Sequence, residues 1–67
     1  MKAGDLVRYE TYDEDRRWHD VMGILIYLTE NPYGDPLWLC RHLPGAAVQS
    51  RGTWKQPKDL EVLSESR

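Results

Sequence analysis

The apolar residues of this chain come in short runs, each closed by glycine, proline or a cluster of charges. Gly4-Asp5-Leu6-Val7 opens the first run, and Gly23-Ile24-Leu25-Ile26 opens the heart of the second. Leu37-Trp38-Leu39-Cys40 makes the third and Gly52-Thr53-Trp54 the fourth, and a Pro57-Lys58-Asp59-Leu60 turn then feeds Glu61-Val62-Leu63. Runs this short, rich in aromatic and β-branched residues and bounded by turn formers, are strands rather than helices. Five of them predict an all-β chain folded as a small five-stranded barrel.

The strands are placed at about residues 5–10, 21–29, 37–42, 48–55 and 60–63. Residues 11–20, with almost no aliphatic content and dense charge, form a long first loop or an extended hairpin arm. Residues 21–29 are apolar on both faces, as in a strand covered on both sides. Asn31-Pro32-Tyr33-Gly34-Asp35-Pro36 stops that strand, because proline fixes φ and glycine adopts a left-handed conformation at little cost. Pro57 removes a ladder donor, so a single 3₁₀ turn precedes the last strand. Residues 64–67 are expected to fray.

Sixty-seven residues allow one domain, 1–67. A chain of this size buries only about 60 % of its unfolded surface, so the core must be dense in large side chains. Three Trp and four Tyr supply the volume in the absence of Phe. The expected core is Val7, Ile24, Ile26, Trp38, Leu60 and Val62. Leu25 is not fixed to a face, since a bulge near Gly23 would reverse the register.

Cys40 is the only cysteine and has no partner for an internal disulfide. With no signal-like segment and no apolar run near 18 residues, the expected setting is the cytoplasm, with no membrane contact. The net charge of −2 is unevenly spread. Residues 1–35 hold eight acids against four bases, and residues 36–67 three acids against five bases, so the halves carry −4 and +2. Such a split can steer partners of opposite sign to different parts of one surface.

Gly4-Asp5-Leu6-Val7, Gly23-Ile24, Trp38, Trp54 and Asp59-Leu60-Glu61, taken in that order, resemble small SH3-like barrel proteins. These are common among tailed-phage and marine environmental (metagenomic) sequences and are mostly uncharacterised. The resemblance implies a five-stranded SH3-like barrel with a long first loop and a 3₁₀ turn before the last strand. The wider group includes peptide-binding modules and nucleic-acid-binding modules. In SH3 domains the first loop sets acids beside an aromatic groove that takes a proline-rich segment. Tyr9-Glu10-Thr11-Tyr12-Asp13 is a faint echo of the tyrosine-rich stretch those domains use.

Two binding surfaces can be written from the residues. Tyr9, Tyr12 and Trp18 stand among Asp13, Glu14 and further acids, an aromatic-acidic loop for a protein partner or for a second copy of the chain. The alternative is nucleic acid, held by Arg41, Arg51, Trp54, Lys55 and Lys58, in which rings stack bases and cations follow phosphates. In this barrel pattern Trp54 is more often a core residue than a platform. Cys40 and His42 with the distant His19 fall short of a metal-ligand pattern. Cys40, His19 and Asp20 carry no spacing that compels a nucleophile–base–carboxylate set. The expectation is therefore a non-enzymatic binding or assembly module without metal, cofactor or small-molecule substrate.

Overall fold

β1 (Leu6–Tyr12) and β2 (Trp18–Glu30) form a long antiparallel hairpin, paired from Leu6↔Ile24 to Tyr12↔Trp18. This is a computed structural model, and it describes residues 1–66. β3 (Pro36–His42) pairs with β2, β4 (Gly52–Lys55) with β3, and β5 (Glu61–Ser64) with the outer side of β1. All pairs are antiparallel, giving one sheet in the order β4-β3-β2-β1-β5 that does not close on itself. A 3₁₀ turn, Pro57–Asp59, leads into β5 as the proline predicts.

Of the two expectations for 11–20, the extended hairpin arm holds and the long loop does not. Thr11 and Tyr12 belong to β1 and Trp18–Asp20 to β2, so the first connection shrinks to Asp13–Arg17. The fourth strand is shorter than expected, with residues 43–51 lying outside the sheet.

The turns after β1 and β2 share one hydrogen-bond plan. Asp13 N–H donates to Arg17 O at 2.9 Å and Arg16 N–H to Asp13 O at 3.1 Å. Asp13 Oδ1 accepts from Asp15 N–H at 2.8 Å and from Arg17 N–H at 2.9 Å. In the second turn Asn31 N–H donates to Asp35 O and Gly34 N–H to Asn31 O, while Asn31 Oδ1 accepts from Tyr33 N–H and Asp35 N–H. The fourth residue has positive φ in both, 85° at Gly34 and 60° at Arg16. A left-handed conformation costs a non-glycine residue about 1–2 kcal/mol. Part of that gain is offset in Arg16→Gly by the freer unfolded chain. The variant is expected to raise the melting temperature by roughly 2–4 °C, a net gain of about 0.5 kcal/mol. Thermal denaturation followed by circular dichroism checks this, and a lower melting temperature would contradict it.

The core consists of Val7, Tyr9, Val21, Leu25, Trp38, Cys40 and Val48, with Ala46, Leu60 and Val62 packed against it. Val7 and Trp38 are buried as expected, and Leu60 and Val62 partly so. Ile24 and Ile26 are not core residues. Val7↔Gly23 and Tyr9↔Val21 place the odd-numbered residues of β2 inward, so Ile24 falls on the outer face. Gly23 has to be the inward residue, because a Cβ there would collide with the Tyr9 hydroxyl and the Arg41 carbonyl. The register then slips between Leu25↔Cys40 and Tyr27↔Leu39, leaving Ile26 as an unpaired bulge residue 39 % exposed. The bulge lies three residues beyond the glycine where it was sought, and Leu25 is the buried residue at 1 % exposure.

Asp5 closes the fold. It is fully buried, and its Oδ2 accepts from Lys2 N–H at 2.9 Å while Oδ1 accepts from Ser66 N–H at 2.7 Å. Its own carbonyl accepts from Leu25 N–H at 3.1 Å. The carboxylate thus joins the start of the chain to residue 66, while the backbone of the same residue ties both to the middle of β2. Ser64 and Ser66 are held rather than frayed, and the fraying expected at Arg67 lies outside the described residues.

Candidate functional site

The hairpin tip carries a pair of exposed rings. Tyr12 and Trp18 are direct cross-strand partners, with centroids 4.0 Å apart and planes inclined by 37°. They remain 57 % and 55 % exposed. Two large rings stacked on each other and still facing water form a ready contact platform. Lys55 Nζ lies 5.8 Å from the Trp18 ring centre, and Glu10, Trp18, Lys55 and Asp59 line one concavity beside the 3₁₀ turn. A cation is therefore already held against the ring, next to two carboxylates.

The other residues expected at this site divide. Tyr9 is drawn into the core and does not reach the surface, because alternation along β1 points it inward with Val7 and Thr11. Its hydroxyl lies 2.6 Å from His42 Nδ1, and His42 Nε2 lies 3.2 Å from Ser50 Oγ. Burial raises the Tyr9 pKa, so the phenol keeps its proton, and burial lowers that of His42, favouring the neutral ring that accepts it. The chain of bonds ties residue 50 of the 43–51 segment to the core. Asp13 is also committed. Besides its two backbone bonds, Oδ2 lies 2.6 Å from His19 Nε2. The His19 bond, then the backbone donors of Arg17 and Asp15, hold its carboxyl below the usual range. Asp13 shapes the turn rather than reaching outward, whereas Glu14 is exposed at its apex.

The cationic set also divides. Trp54 is not a core residue: it is 45 % exposed and meets Tyr27 edge-on, with ring centres 5.6 Å apart. Arg41 shares the outer face of the sheet with it, and Arg51 borders the same region. Lys55, the next residue along β4, points instead toward Trp18, and Lys58 stands on the 3₁₀ turn. The five residues therefore serve two different surfaces.

Cys40 lies at the centre of the core, and burial raises its thiol to about 11. It is chemically quiet there. His19 faces Asp13, and Cys40 makes its contact with the Trp38 carbonyl, so Cys40, His19 and Asp20 do not converge. Among the described residues no three His, Cys, Asp or Glu side chains group as metal ligands. No helix among them is long and apolar enough to cross a membrane.

Sequence reasoning missed Asp59 as a wall of the tip site and Tyr27 as the partner of Trp54. Glu10, one of the acids expected among the rings, and Asp59 are carried by β1 and the 3₁₀ turn, which only the fold brings together. Comparison with known proteins leaves the chain on its own: no family model, no curated protein and no solved structure matches it.

Proposed function

We propose that this chain is a non-enzymatic binding module whose hairpin-tip platform, Tyr12 and Trp18, docks an extended, basic segment of a protein partner. The stacked pair, more than half exposed on both rings, is the observation that carries the reading. Charge supplies the rest. Glu10 and Asp59 line a concavity with Trp18, and Glu14 lines one with Tyr12. Lys55 shows how a cation sits against Trp18 within this arrangement. We read the open sheet as an SH3-like barrel of the phage type. In support, β1 pairs with both β2 and β5, and a 3₁₀ turn precedes β5.

The probe is an extended peptide with alternating proline and arginine, titrated by calorimetry. Trp18→Ala is expected to weaken it by about 2 kcal/mol, roughly 30-fold, as loss of a central aromatic anchor does. Trp18 lies outside the core, so the variant keeps its melting temperature within a few degrees. Charge reversal at Glu14 slows association and flattens its salt dependence with little change in dissociation. Wild type and Trp18→Ala binding the peptide equally would reject the site. Sedimentation equilibrium separates the remaining outcome, a second copy docking on the same rings, by a wild-type dimer that Trp18→Ala dissolves.

A further inference from the structure

We propose that the outer face of β2, β3 and β4 is a second binding site, for single-stranded nucleic acid, with Trp54 and Tyr27 stacking bases and Arg41 and Arg51 holding phosphates. This goes beyond the protein-docking role of the hairpin tip and uses different residues. Leu39 lies opposite both Tyr27 and Trp54, so these three side chains form one row across three strands. The two rings meet edge-on and are 49 % and 45 % exposed, which leaves ring surface open to a ligand. Arg41 is the next residue on that face of β3, about 6.6 Å further along the strand, opposite Ile24 and Gly52.

The ground between rings and cations is concave. Ile26, Leu39, Cys40, Arg41, Arg51 and Gly52 line a hollow of about 320 Å³, at the small end of ligand-binding clefts. Gly52 lies so close to β3 that a Cβ there would collide with the Cys40 carbonyl. The bulge at Ile26 turns Tyr27 to the same side as Leu39.

Charge decides the ligand class. Arg8 is engaged by Glu61 at 2.7 Å and by Asp20 at 3.7 Å. Among the described residues no carboxylate lies within ion-pair distance of Arg41 or Arg51. Eight of the eleven acids belong to residues 1–35, whereas both arginines belong to the half with the net charge of +2. An acidic peptide would satisfy the guanidinium groups and leave the rings idle. A single strand offers phosphates and unpaired bases together, and its bases can reach the rings as those of a duplex cannot.

Fluorescence anisotropy with three probes tests this: a labelled single-stranded oligothymidylate, its duplex with oligoadenylate, and polyglutamate. The single strand is expected to bind best, with affinity falling as salt rises. Trp54→Ala should lower affinity roughly 5- to 150-fold and leave the salt slope unchanged. Arg41→Gln with Arg51→Gln should flatten the slope by about 0.7 per phosphate contact removed. Trp54→Tyr keeps a ring and should retain most of the affinity. Trp18→Ala and Lys58→Gln should change nothing, which keeps this result separate from that at the hairpin tip. Absence of single-strand binding at about 50 mM salt would overturn the proposal. Polyglutamate or the duplex binding as tightly as the single strand, or Trp18→Ala abolishing the signal, would overturn it too.

Discussion

Leu25→Ala is expected to abolish cooperative folding, while Ile26→Ala, one residue further on, leaves the domain standing. Leu25 is buried at the centre of the sheet, and the cavity left by its truncation costs on the order of 2–5 kcal/mol. A core in a chain of this length rarely supplies more than about 3–5 kcal/mol of net stability, so the loss is comparable to the whole. Ile26 occupies the bulge with its side chain partly in water, and its truncation should cost less than about 1 kcal/mol. Leu25→Val keeps most of the volume and should give a measurable loss of roughly 1 kcal/mol. Urea denaturation of the three variants checks the order. A larger loss at Ile26 than at Leu25 would mean that β2 carries the opposite face to the core.

Removing residues 65–67, or replacing Asp5 by Asn, is expected to lower the melting temperature by on the order of 10 °C and to erase the same part of the acid sensitivity. The Asp5 carboxylate accepts from the Ser66 and Lys2 amides, and these bonds hold its pKa below the ordinary 3.8. A depressed carboxylate pKa stabilises the folded state fully above the unfolded value. That contribution fades as pH falls through the folded value. Wild type should therefore lose stability below about pH 4. Asp5→Asn starts lower and should show a flatter profile there, because its amide cannot titrate and turns a donor toward a donor. Melting curves between neutral and acid pH test it. Parallel profiles for wild type and Asp5→Asn would show that the carboxylate does not link the termini.

Both predictions rest on contacts that sequence hides. Turns were legible because their chemistry is local: Asn31, Pro32 and Gly34 specify one turn, and Pro57 specifies the 3₁₀ turn. Trp38 and Cys40 were legible as core by residue type, although Leu37-Trp38-Leu39-Cys40 is apolar throughout and its alternation emerges only in the fold. The face of β2 was not, since residues 21–28 are apolar at nearly every position and alternation cannot choose between the sides. The choice is made by Gly23 under the Tyr9 ring, a contact fixed only by pairing. Asp13 passed for a docking charge because its turn carries Arg16 where its twin carries Gly34. Asp5 was read only as part of a strand opening, and its partner lies 61 residues away. Tyr12 and Trp18 were found because their richness in ring and charge is visible in one stretch, while Tyr27 and Trp54 are distant in sequence.

The docking role of the hairpin tip is tested most directly by amide chemical-shift mapping as the arginine- and proline-bearing peptide is added to the wild-type protein. The predicted result is a saturable set of shifts centred on Tyr12, Trp18 with its indole N–H, Lys55 and Asp59, with the amides of Tyr27 and Leu39 unmoved. An unchanged spectrum at high peptide concentration, or shifts that gather away from the hairpin tip, would contradict it.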